Sequence, residues 1–235
     1  MDTGILVPAA LPQFTAPLLR ELIGARHGVR DSGDYGFADD GESALRSSAA
    51  DLKTLKPAAV LVLFIERQHG PSVLFTQRTA HLTDHAGQIS FPGGRVEEGD
   101  AHVAATALRE TAEETGIDVS GIDIVGELPC YTTGTGYRIT PVVGWAPPVD
   151  AYRPDPTEVA ECFEVPARFL TDTRNHRVEQ AMYKGRMRSY YAIPYMHRYI
   201  WGATAGMLVS LTRVLYAGLG IDAGAPVRAA ADSGG

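Results

Sequence analysis

Cysteine is nearly absent from this 235-residue chain. The two present, Cys130 and Cys162, show no Cys-x-x-Cys or Cys/His ligand spacing. Neither a thiolate zinc site nor a disulfide framework is expected, and the pair reads as reduced thiols of a cytoplasmic protein. Excess positive charge is lacking too. With 28 acidic residues against 21 Lys plus Arg, the net charge of −7 leaves nothing to neutralise a nucleic-acid backbone or an anionic membrane. A local basic site for a small anion is still compatible with that balance. No apolar run is uninterrupted enough to span a bilayer. The longest, Trp201 to Leu219, contains Thr204, Ser210, Thr212 and Arg213. Its large residues Met207, Leu208, Leu211, Val214 and Leu215 recur at helical spacing, which predicts a core-packing amphipathic helix. The first residues carry no basic segment, and Pro8 and Pro12 break their apolar stretch, so they do not read as a signal peptide.

What is present is enough apolar residue, 45%, for one well-buried core. Leu18, Leu19, Leu22 and Ile23 predict a first helix within Pro12–His27, and the Gly-, Ser- and Asp-rich stretch Gly28–Lys56 a loosely ordered connection. Residues 1–56 are therefore expected to be an extension, 57–222 the catalytic domain and 223–235 a disordered tail. The apolar run Ala58–Ile65 predicts a buried strand and Ser72–Gln77 its neighbour across His69-Gly70-Pro71. Further strands are expected at Ile89–Phe91, Ile122–Leu128, Ile139–Trp145 and Ala160–Val165, and a hairpin over His176–Ala192 turning at Lys184-Gly185. Strands of this kind with two or three helices point to an α/β sandwich.

One helix carries chemistry. Asp100 is a candidate N-cap, and Gly116 followed by Ile117 is the expected left-handed stop. Between them Ala104, Leu108, Thr111, Ala112 and Thr115 predict the core face, which puts Glu110, Glu113 and Glu114 together on the opposite side. Three carboxylates at such spacing repel by a few tenths of a kcal/mol per pair, roughly, and a divalent cation turns that repulsion into binding. Gly93-Gly94 just upstream lets backbone approach a metal or phosphate, and Arg109 can orient a carboxylate. His81 and His85 sit in a loop with no further ligands and are read as incidental.

Gly94 to Ile117 resembles the Nudix box, Gly-x5-Glu-x7-Arg-Glu-U-x-Glu-Glu-x-Gly-U with U bulky and apolar. Gly94, Arg109-Glu110, Glu113-Glu114, Gly116 and Ile117 match. Asp100 stands where Glu is expected, with eight residues rather than seven before Arg109, and Thr111 replaces an apolar residue. Leu74 to Gly94 is similar to the signature of the coenzyme A pyrophosphatase branch, Leu-Leu-Thr-x-Arg-Ser-x3-Arg-x3-Gly-x3-Phe-Pro-Gly-Gly. Leu74, Thr76, Arg78, Gly87, Phe91, Pro92, Gly93 and Gly94 match, while Thr83 replaces the second Arg. Ile200-Trp201-Gly202 is also similar to that branch.

The resemblance implies a Nudix-type α/β/α sandwich with a mixed sheet, and Mg²⁺ or Mn²⁺ held by Glu110, Glu114, Glu113 and the Gly94 carbonyl. It further implies that Glu113, Arg109 and a later glutamate, Glu161 or else Glu158, serve catalysis. The implied substrate is coenzyme A or an acyl-CoA, with ADP-ribose or another nucleoside diphosphate derivative as the alternative. A non-catalytic nucleotide sensor of the same fold is disfavoured by the intact acidic trio. Arg78, Gly93 and Gly94 are expected to bind substrate. So are Arg186 and Arg188, because Arg174–Arg198 holds six basic residues against Glu179 alone. A homodimer is allowed for.

Overall fold

The computed structural model of the protein describes residues 12–25, 29–33, 54–80, 87–183, 186–224 and 226–228. In chain order these form α1 (Ala16–Gly24), β1 (Ser32–Gly33), β2 (Lys56–Ile65), β3 (Ser72–Arg78), β4 (Ile89–Ser90), β5 (Gly93–Arg95) and α2 (Val103–Thr115). There follow β6 (Asp123–Glu127), β7 (Tyr131–Thr132), β8 (Tyr137–Ala146), β9 (Val159–Pro166) and α3 (Ala167–Leu170). The chain continues through β10 (Arg177–Tyr183), β11 (Arg186–Tyr195), β12 (Arg198–Trp201), α4 (Gly202–Gly218) and β13 (Val227–Arg228). Calls on His81, His85, Thr83, the Lys184-Gly185 turn and the remainder of the tail lie outside the described residues.

β2 reads as an unbroken apolar run because both of its faces are covered. Ala59, Leu61, Leu63 and Ile65 pack with Ala104 and Ala107 of α2, whereas Val60, Val62 and Phe64 pack with Leu208, Leu211 and Leu215 of α4. Helix, mixed sheet and helix are thus the three layers. The parallel partner of β2 is β8, from Lys56↔Tyr137 to Ile65↔Ala146, and its antiparallel partner β3 meets it only at Phe64↔Val73 and Ile65↔Ser72. Toward its start β2 pairs instead with β5, Ala58↔Arg95 to Val60↔Gly93, while β3 continues beside β4 and β9. The sheet therefore splays between β2 and β3, and α2 lies over the split.

Several expectations are corrected. α2 begins at Val103, capped by His102 Nδ1, which accepts from the Ala105 N–H at 3.0 Å, and not by Asp100. Its stop is as expected, Gly116 at φ 67°. Glu114 is buried rather than on the open side. The predicted connection contains β1, which pairs in parallel with β7, and the predicted tail contains β13 beside β10. The last helix is buried almost all round, Thr204 to Thr212 without a break, rather than on one stripe. It lies between the large sheet and the four-stranded sheet β12-β11-β10-β13, with α1 alongside through Leu19, Leu22 and Ile23. No described helix is long and apolar enough to cross a membrane.

Candidate active site

Two glycines bring backbone against the acidic helix. A Cβ on Gly94 would stand 2.4 Å from Glu110 Oε1, and one on Gly93 2.4 Å from the Ala59 carbonyl oxygen and 2.6 Å from Val60 Cα. No side chain fits at Gly93, and one at Gly94 would displace the Glu110 carboxylate, so β5 runs directly under Glu110.

Glu114 projects into the split between β2 and β3 and is only 6% exposed. It accepts a hydrogen bond from the Thr76 hydroxyl at 3.3 Å, and that hydroxyl also lies 3.4 Å from Ser90 Oγ. Burial first, and the charge of Glu110 second, push the Glu114 carboxyl up to about 8; Arg78 and the Gly93 amide pull the other way. Burial likewise raises Glu110. Two carboxyls thus share a poorly hydrated place.

Arg109 organises the outer side. Its Nε donates to Asp100 Oδ1 at 3.1 Å and its Nη2 to Asp100 Oδ2 at 3.1 Å and to the Arg95 carbonyl at 3.2 Å. Its Nη1 donates to Glu110 Oε1 at 3.0 Å and Glu113 Oε2 at 3.4 Å. Asp100 also accepts from the Glu97 amide and the Thr106 hydroxyl, and the Arg109 bond foremost holds its carboxyl well below the usual range. The extra residue before Arg109 is accommodated here, Asp100 serving as the guanidinium's fork partner instead of a helix cap. Glu113 is 60% exposed and faces Arg109.

The later glutamates separate. Strand alternation and the pairs Gln77↔Glu161 and Phe75↔Phe163 put Glu161 on the α4 face of the sheet. There Arg198 Nη2 holds it at 2.6 Å, with the guanidinium 3.7 Å from the Phe163 ring centroid. The structure does not bring Glu161 to the acidic helix. Glu158 is the glutamate whose charge raises both Glu110 and Glu114. The loop carrying it is tied to the end of α2 by Arg153 N–H to the Thr115 carbonyl and Asp155 N–H to the Glu114 carbonyl. Arg78 lies beside them, Nη1 4.0 Å from Glu158 Oε2, and its buried Nε has no hydrogen-bond partner.

Arg188 lies on β11, about 23 Å of strand from Tyr195, which pairs with Arg198 near the split. The side chain of Arg186 falls outside the described residues. Sequence reasoning missed Thr76 as a glutamate partner, although it belongs to the matched signature.

Among the described residues, no three His, Cys, Asp or Glu side chains gather in metal-binding geometry. Two carboxylates beside an uncovered glycine backbone nonetheless suit Mg²⁺ or Mn²⁺, hard cations that take oxygen donors and keep several waters. The Glu110–Glu114 pair, each carboxyl raised first of all by burial, fits such an ion.

The NUDIX domain family profile matches residues 55–181, which takes in the acidic helix and the strands around it. The chain belongs to the Nudix family. An Escherichia coli O1:K1 relative, described as "uncharacterized Nudix hydrolase NudL", is 41% identical over 157 residues, covering 66% of this chain and 81% of that one. A Nudix hydrolase structure from Alicyclobacillus acidocaldarius aligns over 73% of this chain and 98% of its own at 18% identity, TM-score 0.43. The Nudix domain of Shewanella oneidensis NrtR, solved with ADP-ribose, aligns over 55% and 84% at 22% identity, TM-score 0.39. As a Nudix hydrolase the protein acts on a nucleoside diphosphate derivative, and hydrolases of this family work with divalent ions such as Mg²⁺ or Mn²⁺.

Proposed function

We propose that the protein hydrolyses the pyrophosphate of coenzyme A or an acyl-CoA to the corresponding phosphopantetheine and adenosine 3′,5′-bisphosphate. The observation that carries this reading is the convergence of the Leu74–Gly94 signature on one carboxylate. Thr76 binds Glu114, Arg78 lies within its field, and Gly93-Gly94 leave room over Glu110. Glu110 and Glu114, with the Gly94 carbonyl, would hold Mg²⁺ or Mn²⁺, and Glu113 would act through water. The ion, when bound, neutralises the pyrophosphate and acidifies an attacking water. Arg78 has a free, buried Nε–H to give to a phosphate oxygen. Arg109 fixes Glu110, and Glu158, whose charge reaches both Glu110 and Glu114, would take the proton of the water as its oxygen bonds to phosphorus and the bridging P–O bond breaks.

The test is a panel of CoA, acyl-CoA, ADP-ribose, NADH and nucleoside triphosphates with Mg²⁺ or Mn²⁺, products separated by chromatography. CoA is expected to show the highest kcat/KM, with its two products in equal amounts. If ADP-ribose is preferred by about tenfold or more, roughly 1.4 kcal/mol of transition-state binding, the CoA assignment falls and the family stands.

A further inference from the structure

On the face of the sheet turned away from α2, two cations gather at one ring. Lys56 and Tyr137 are direct partners across β2 and β8, and Arg95 is opposite Ala58, so by strand alternation all three side chains point to the α4 side. Lys56 Nζ lies 6.0 Å and Arg95 Cζ 5.4 Å from the Tyr137 ring centroid. Arg95 also donates from Nε and Nη2 to the Tyr137 hydroxyl, at 3.0 and 2.5 Å.

Among the described residues no carboxylate lies within ion-pairing distance of Lys56 or Arg95. The cations nearest the site differ, since Arg78, Arg109, Arg138 and Arg198 each have one. Two like charges are therefore held at one ring with no counter-ion among the described residues, on a chain whose net charge is −7. The backbone beneath them is fixed. Lys56 N–H donates to the Gly136 carbonyl, Val96 N–H to the Pro57 carbonyl, and Tyr137 N–H to Thr133 Oγ1. An anion arriving here meets an ordered site.

The location supplies the ligand class. Arg95 follows Gly94 directly, so the cluster starts one residue from the backbone under Glu110 but opens on the other side of the sheet. β5 and β4 fill the place where β3 leaves β2, but Lys56 and Tyr137 open their strands and Arg95 closes β5, so a substrate cleaved over Glu110 and Glu114 would reach the cluster round the end of the sheet. We propose that Lys56, Arg95 and Tyr137 form a subsite for a phosphomonoester carried by the nucleotide half of the substrate, a ribose 3′-phosphate in the case of CoA. This rests on the nucleotide substrate read above, and it gives to Lys56 and Arg95 the part expected of Arg186 and Arg188. The guanidinium and ammonium supply charge-assisted hydrogen bonds, and the Tyr137 hydroxyl keeps Arg95 in position.

The experiment compares binding of adenosine 3′,5′-bisphosphate and AMP by calorimetry, in the presence of Mg²⁺, to wild type, Lys56→Ala/Arg95→Ala and Lys56→Arg/Arg95→Lys. Wild type is expected to bind the bisphosphate about tenfold or more tightly than AMP, a preference the alanine pair loses while AMP affinity moves by less than about threefold. The charge-conserving pair keeps most of the preference. Equal binding of the two nucleotides by wild type, or a preference that survives in the alanine pair, overturns the subsite. Hydrolysis of CoA is read separately. No CoA turnover with the binding preference intact sinks the substrate assignment and leaves the subsite, whereas turnover without the preference does the reverse.

Discussion

The Thr76 hydroxyl donates to Glu114 Oε2 across the line where β3 parts from β2, so one carboxylate of the acidic helix is held by a strand of the opposite wall. Groups that orient a metal ligand typically contribute about 10–100-fold in metal affinity. Thr76→Val is expected to raise the Mg²⁺ concentration for half-maximal activity by about tenfold, and Thr76→Ser to restore it. Activation curves for the three proteins check this, and an unchanged curve for the valine variant would remove the positioning role.

Glu114→Gln keeps the side chain's size and removes its charge. Turnover is expected to fall about 100-fold or more, some 2.7 kcal/mol of barrier. An ion that binds only the folded state raises Tm with its concentration. Mn²⁺ should therefore raise the Tm of wild type and leave that of the variant nearly still, and chelation should return wild type to its metal-free Tm. A variant that is stabilised as much as wild type would show the ion to sit elsewhere.

The two later glutamates are separable by kinetics. Glu158→Gln is expected to lower kcat about 100-fold, while Glu161→Gln changes kcat by less than about threefold. The opposite ranking would return the base to Glu161 and require Arg198 to release it.

Arg109→Lys preserves charge but cannot serve Asp100, Glu110 and the Arg95 carbonyl at once, because an ammonium lacks the planar fork. A loss of about tenfold in kcat is expected with KM nearly constant. Asp100→Asn, which weakens the same fork, should move kcat in the same direction.

His176 gives a pH dependence of stability. It is buried, its Nε2–H donates to the Leu170 carbonyl at 2.6 Å, and burial lowers its pKa below 6.5. A depressed folded pKa means that the unfolded chain binds the proton more readily. Its contribution is therefore full above about pH 6.5 and is lost as pH falls through the folded value. Thermal melts between pH 7.5 and about 5 should show a decline that is shallower in His176→Asn than in wild type. Parallel declines would exclude this residue as the cause.

Much of the fold was legible because its strands and long helices carry period-2 or period-3.6 patterns. The last helix follows from that spacing, whereas β2 is legible as an unbroken apolar run whose two faces are both covered. Where the pattern misled, a second neighbour was responsible. Glu114 reads as solvent-facing if α2 has one covered side, but α2 lies across a split and β3 covers another. Asp100 has the chemistry of a cap, yet its carboxylate is already engaged by Arg109, and His102 takes the cap. Glu161 and Glu158 are alike in sequence. Alternation with Phe163 and Val165, both buried, assigns Glu161 to the far face once β9 is known to pair with β3, a long-range contact that no local pattern encodes.

The four-stranded sheet has an outer margin that, among the described residues, β13 alone covers. Val227 and Arg228 pair with Arg177 and Val178, and among the described residues the part of β10 beyond them, toward the exposed Met182, has no strand partner on that margin. Such a margin is a template for a strand of another molecule. Loss of the two C-terminal strand residues would lengthen it by the width of their pairing. Shortened or C-terminally fused forms of the protein are accordingly expected to self-associate along β10, whatever the state of the carboxylates on α2.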